Sequence, residues 1–242
     1  MYNFFVEDSN INDSTIILNG DDYNHIKNVL RMTTGEQIQI CGKQSGRVWL
    51  TEISKIDKEI IACKIIEEKK SNESNVQITV YQGIPKSTKM EYIIQKSVEL
   101  GAYKIVPVEM KYCVAKMKNE DKKISRWQAI SEAAAKQSKR SIIPKIENSI
   151  SVKELCVELA KYDCAILAYE DEQENSIKTI LKNNKKIDNI AIIVGPEGGI
   201  AKEEAELLIS NGAKSATLGK RILRTETASS AILSMIMYEY EL

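Results

Sequence analysis

Residues 190–194 read Ile, Ala, Ile, Ile, Val, and the run stops at once on Gly195, Pro196, Glu197, Gly198 and Gly199. A short unbroken run of mostly β-branched apolar residues marks a strand buried on both faces. The turn that ends it holds three of the chain's eleven glycines and one of its four prolines. Glycine permits positive φ and close approach of a ligand to the backbone, and Pro196 fixes one φ among those free points. A rigid glycine-lined turn at the carboxyl end of a buried strand is where open α/β sheets bind ligands. Ordinary strand-to-helix connections use the same residues, so the turn alone leaves both readings open. Further along, Leu218 and Gly219 end another short strand, and 220–224 form a second loop before the last helix. Two loops on one sheet edge can hold a ligand between them.

The texture around this stretch supports a parallel α/β domain. Strands are expected at 76–84, 104–108, 164–169, 190–194 and 214–218. Helices are expected at 89–100, 124–139, 176–183, 203–210 and 228–240, with Gly101 and Gly212 as C-caps. Five strands alternating with helices imply a parallel sheet. Residues 1–70 read differently, as short strands at 4–6, 15–18, 37–41, 48–53 and 60–66. One helix is inserted at 23–32, with Ile26, Val29 and Leu30 on one face and Asp21 or Asp22 as cap. That pattern suggests a small barrel. Residues 67–75 are polar and aperiodic and read as a linker, which divides the chain into domains at 1–70 and 71–242.

Composition excludes several chemistries. The five cysteines (Cys41, Cys63, Cys113, Cys156, Cys164) form no C-x-x-C pair, which argues against zinc or a disulfide framework and for a reducing cytoplasm. The single histidine, His25, would have to carry any Ser-His-Asp or multi-histidine metal chemistry, and it lies far in sequence from the glycine turn. It is read as structural, and no metal is expected. No apolar run is long enough to span a membrane, and the N-terminus lacks a signal-peptide pattern. Net charge is zero, yet residues 111–145 carry ten cations against three acids. A basic segment in a neutral protein suits a polyanion, although charge runs are often plain solvated helix faces. Arginine is scarce, six against twenty-eight lysines, so each one is worth inspecting as a bidentate phosphate ligand.

The loops carry neither G-x-x-x-x-G-K-S/T nor G-x-G-x-x-G, and Glu197 would repel a phosphate. A cationic ligand such as S-adenosylmethionine fits better. The run Val194 to Gly199, followed by Leu218, Gly219, Lys220, Arg221, Ile222, Leu223, Arg224, Thr225, Glu226, Thr227 and Ala228, resembles the RsmE family of ribosomal RNA small-subunit methyltransferases, within the SPOUT superfamily. The resemblance spans nearly the whole chain. His25 with Val29, Leu30, Arg31 and Gly35, then Gln95, Lys96, Glu99, Gly101 and Pro107, then Trp127, Glu132, Gln137, Arg140 and Pro144, are similar to the family's motifs in the same order. One departure is Lys111-Tyr112-Cys113, where the family pattern leads one to expect an acidic residue and an arginine before a serine.

The resemblance implies a PUA-like N-terminal barrel for RNA binding and a C-terminal domain whose parallel sheet carries a deep trefoil knot, an exception to unknotted topology. It implies a cytoplasmic homodimer that uses S-adenosylmethionine, without a metal, to methylate N3 of a uridine in 16S rRNA of the small ribosomal subunit. The cofactor is expected on Gly195, Gly199, Leu218 and Gly219, with Ile222 and Leu223 around the adenine and the strand end at Leu167–Ala168 as another wall. Glu197 is expected as general base or uracil anchor, with a solvated carboxylate near the following helix as its plain alternative. Arg224 is expected to hold RNA phosphate or orient the uracil, with an ion pair to Glu226 as its plain alternative. Arg31, Arg126 and Arg140 are expected RNA contacts, the first with a carboxylate between domains as its alternative and the last two as replacements for the missing arginine. Thr225 and Glu226 read as caps of the last helix. A ribose 2′-O-methyltransferase of the same superfamily and a non-catalytic RNA-binding assembly factor are the competing readings.

Overall fold

The protein was analysed as a computed structural model that describes residues 1–183 and 187–241. The chain forms two compact units, one of residues 1–73 with 135–143, the other of 74–134 with 144–242.

The first unit is a five-stranded sheet curled around its own apolar core. Its strands are β1 (Asn3–Val6), β2 (Thr15–Asn19), β3 (Gln37–Gly42), β4 (Val48–Ile56) and β5 (Ile60–Lys69), in the order β1-β3-β4-β5-β2. Only the β1–β3 pair is parallel. Phe4, Ile16, Leu18, Ile38, Ile40, Ile53 and Ile61 alternate inward and are almost fully buried, as a sheet with one covered face requires. β5 runs to Lys69, so part of the expected linker is strand.

The inserted helix departs from expectation. It starts at Gly20 as α1 (Gly20–Asn24), which places Asp21 and Asp22 in its first turn rather than at its cap. It then widens into a π-helical turn over His25–Val29, closed by Leu30 N–H donating to the carbonyl of His25 at 2.9 Å. The wider turn breaks the 3.6-residue period. Ile26 is therefore buried while Val29 is 69% exposed. His25 meets Phe4 edge-on, with ring centroids 6.0 Å apart.

Residues 135–143 are pinned to this unit by a buried ion pair. Glu73 accepts from Arg140 Nε at 3.1 Å and from Ser141 N–H at 2.8 Å, and Asn3 Nδ2 donates to the Arg140 carbonyl at 2.9 Å.

The second unit is a parallel sheet with helices on both faces. Its elements are β6 (Gln77–Gly83), α2 (Lys89–Glu99), β7 (Ala102–Glu109), α3 (Glu120–Gln137), β8 (Lys145–Ile146), β9 (Ile150–Ser151), α4 (Val152–Glu158), β10 (Cys164–Ala168), α5 (Ile177–Lys182), β11 (Asn189–Val194), α6 (Lys202–Ser210), β12 (Ala213–Ala216) and α7 (Thr225–Tyr240). Strand order is β12-β10-β11-β6-β7-β8, with β9 also on β7, and every pair is parallel. β11 is central, and Ile190–Val194 are at most 3% exposed, as a two-sided strand demands. The short elements β8, β9 and α4 add to the sequence expectation. α4 begins with a capping box in which Ser151 and Glu154 satisfy each other's backbone N–H groups,.

The register levels the carboxyl edge. Ala216, Ala168, Val194 and Gln82 lie in one row across β12, β10, β11 and β6. The loops leaving β10, β11 and β12 therefore depart side by side.

Candidate active site

A cavity of about 570 Å³ lies among those three loops. That volume falls within the roughly 300–1,000 Å³ of small-molecule sites. Its lining includes Ala168, Glu170, Gly195, Glu197, Gly199, Leu218, Gly219, Ile222, Leu223, Arg224 and Lys89.

Two close packings shape the glycine turn. Gly83, at the end of β6, lies so near Pro196 that a Cβ there would stand 2.6 Å from the proline Cδ. Gly199 has φ +74°, and a Cβ on it would run into the Glu170 carboxylate. Glycine is needed at the first for space and at the second for conformation as well.

A buried polar network ties the turn to the last helix. Thr225 Oγ1 donates to the Gly195 carbonyl at 2.6 Å and accepts from Gln82 Nε2 at 2.8 Å. Gln82 Nε2 also reaches the carbonyls of Gly83 at 3.0 Å and Gly195 at 3.3 Å, while Ser229 Oγ donates to Gln82 Oε1 at 2.6 Å. Gln82 is fully buried, and Thr225 and Ser229 nearly so. Sequence reading treated Thr225 as a cap and passed over Gln82 and Ser229. The available signal was polar residues inside otherwise apolar segments, Gln82 at the end of the 76–84 run and Ser229 in the last helix.

The charged groups sort themselves at the mouth. The Glu197 carboxylate accepts from Lys86 N–H at 3.1 and 3.2 Å and pairs with Lys89 Nζ at 3.0 Å. Lys89 also lies 3.6 Å from Glu226 Oε2. Partial burial by itself would raise the Glu197 carboxyl. Its own backbone N–H, Lys89 and the Lys86 N–H outweigh that and hold it below its ordinary value,. The same contact raises the Lys89 ammonium. Glu197 is thus a settled anion and a weakened base. The plain alternative for Arg224, an ion pair with Glu226, does not form, and Glu226 faces Lys89 instead.

The remaining predicted residues fall as follows. Gly195, Gly199, Leu218, Gly219, Ile222 and Leu223 all line the cavity. Leu167 does not. It is fully buried in the core, and its neighbour Ala168 forms the wall, because successive side chains of a strand point to opposite faces,. Ile222 lines the cavity and is 81% exposed. Arg31 is exposed, with φ +54°. Arg126 is exposed and pairs with Glu91 at 2.8 Å. Arg140 is buried against Glu73, so its guanidinium serves the first unit's interior. In the departing segment, Tyr112 packs on Gly198, where a Cβ would come within 2.9 Å of the tyrosine Cβ. Lys111 is engaged by Glu203 and by Glu204, whose Oε1 accepts its N–H at 2.8 Å. Among the described residues no group of three or more His, Cys, Asp or Glu could hold a metal ion, and no helix is long and apolar enough to cross a membrane.

The donor set fits S-adenosylmethionine. The cavity offers the apolar side chain of Ile222 for an adenine and the Glu170 carboxylate for a sulfonium or ammonium,.

A family model described as an RNA methyltransferase domain matches residues 72–237, and one described as an RNA methyltransferase PUA domain matches 18–66. The ribosomal RNA small subunit methyltransferase E of Bacillus subtilis (strain 168) is 35% identical over 235 residues, covering 94% of this chain and 91% of its own length. The protein of the same name from Mesomycoplasma hyopneumoniae (strain 232) is 34% identical over 235 residues, covering 97% of this chain and 98% of its own. A crystal structure of the ribosomal RNA small subunit methyltransferase E from Neisseria gonorrhoeae, bound to S-adenosyl methionine, matches with a TM-score of 0.88 at 29% identity. That match covers 99% of this chain and 98% of the other.

Proposed function

The chain belongs to the ribosomal RNA small subunit methyltransferase E family, and from that premise we propose that it methylates N3 of a uridine in 16S rRNA of the small ribosomal subunit, using S-adenosylmethionine. The observation that carries the reading is the cavity between the 195–199 and 217–224 loops, lined by glycine backbone, Ile222, Glu197, Lys89 and Arg224.

When bound, S-adenosylmethionine supplies an activated methyl group, so no metal is required. Gly195, Gly199, Leu218 and Gly219 would offer it backbone, and Ile222 and Leu223 would lie around its adenine. The Gln82–Thr225–Ser229 network fixes the Gly195 carbonyl, so the turn is preorganised before any ligand arrives,. Glu197 accepts a hydrogen bond from the uracil N3–H and orients the ring. As the N3–CH3 bond forms and the sulfur–methyl bond breaks, the N3 proton passes by way of Glu197 to solvent, since the carboxyl's lowered basicity keeps it from holding the proton,. Arg224 holds the flanking phosphate. Alignment of this kind supplies about 7–11 kcal/mol of barrier reduction in favourable cases. The uridine must leave its stack to reach the cavity, and Arg31 and Arg126 contribute RNA contacts outside it. The same reading makes the protein a cytoplasmic homodimer whose 195–199 and 217–224 loops belong to a deep trefoil knot.

The test incubates the protein with S-adenosylmethionine and small ribosomal subunits from cells lacking the endogenous enzyme, then identifies nucleosides by mass spectrometry. New 3-methyluridine is the expected product. A ribose-methylated nucleoside overturns the substrate atom, and absence of cofactor binding by calorimetry overturns the enzymatic reading.

A further inference from the structure

Two arginines, Arg221 and Arg224, are exposed and line the cavity, and among the described residues no ion pair holds either of them. This is unexpected on charge grounds. Glu197 lines the same cavity, and Glu226 stands two residues from Arg224. Glu226 Oε2 is inaccessible to solvent and accepts no hydrogen bond, so it needs a counter-charge,. The planar fork of arginine binds a carboxylate better than lysine does. Yet neither carboxylate is held by an arginine; a lysine stands beside both.

That lysine is Lys89. It is the first residue of α2, and its ammonium sits 3.0 Å from Glu197 and 3.6 Å from Glu226. We propose that Lys89 is a positioning residue that occupies both carboxylates and thereby keeps Arg224 free for an RNA phosphate. The inference rests on the reading that Arg224 meets RNA. Glu197 keeps its backbone donors when Lys89 is lost. Glu226 keeps nothing comparable and becomes the partner that captures the arginine.

The experiment measures binding of the full-length protein to purified unmodified small ribosomal subunits across a salt series. Lys89→Met should weaken binding roughly tenfold, the scale of one charge-assisted hydrogen bond. It should also lower the slope of log affinity against log salt by about one phosphate contact. Lys89→Arg should retain both. Adding Glu226→Gln to Lys89→Met removes the trap and should restore affinity to within about threefold, a coupling that independent sites would not show. Should Lys89→Met fold poorly, Lys89→Gln carries the same expectations. A double variant no better than Lys89→Met means that Lys89 itself touches RNA and overturns the inference. So does an unchanged slope in Lys89→Met beside a lowered slope in Arg224→Ala. An unchanged slope in Arg224→Ala overturns the reading beneath it as well.

Discussion

The buried network behind the glycine turn yields a quantitative expectation. Thr225→Val preserves side-chain shape and removes one hydroxyl. That hydroxyl makes two short bonds, 2.6 Å to the Gly195 carbonyl and 2.8 Å from Gln82. The Gly195 carbonyl would keep only the longer 3.3 Å contact from Gln82 Nε2, which would itself keep the Gly83 carbonyl at 3.0 Å. Neither group is wholly orphaned, so the loss should lie near the middle of the ~1–3 kcal/mol range for buried groups stripped of a partner. At about 2 kcal/mol this corresponds to a fall of roughly 4–8 °C in melting temperature for a chain of this size. The same loss frees the turn that presents backbone to the cofactor, so calorimetry should find S-adenosylmethionine affinity lowered by about tenfold. Thr225→Ser keeps the hydroxyl and should stay close to the parent in both assays. A Thr225→Val protein that melts within about 1 °C of the parent and binds cofactor equally well would refute the preorganisation argument.

Arg224→Ala should cut methylation by about a hundredfold, the lower range for one lost charge-stabilising donor, while calorimetric cofactor affinity stays unchanged; loss of cofactor affinity would contradict the assigned role. The Glu197 carboxyl lies below its ordinary value of 4.5 in the folded protein, so its contribution to stability is present above 4.5 and disappears as pH falls through the native value. The difference in melting temperature between parent and Glu197→Gln should therefore shrink on acidification below 4.5, and a difference independent of pH would deny the linkage. Arg140→Met leaves the partly buried Glu73 without its cation but with the Ser141 and Ile142 N–H donors, and should cost about 2–3 kcal/mol in urea unfolding of the first unit,. Cofactor affinity should be unaffected, and a loss below about 1 kcal/mol would mean the pair is solvated.

The strands and their helices were legible because each is written in local pattern. The 190–194 run needs two covered faces whatever surrounds it, and Ile93, Ile94 and Val98 repeat at helical spacing and are fully buried. The glycine turn and the 217–224 loop were legible for the same reason, since Gly, Pro and the end of an apolar run are local signals. The pairings were not. Gln82 meets Thr225 across 143 positions, and Lys89 reaches Glu197 and Glu226 from another helix. Which carboxylate takes which cation depends on how three loops and two helix ends converge at one sheet edge, and no local pattern encodes a distance between them. Leu167 and Ala168 differ by one position, and the strand's pleat sends the first into the core and leaves the second on the cavity wall,. Arg140, by sequence a cation in a basic segment, is drawn inward because folding brings the partly buried Glu73 carboxylate to it. The sequence by itself determined the elements and the turn at which a ligand would lie. The tertiary structure decided the charge partners and the polar lock, because those energies depend on separations that exist only once distant segments have packed.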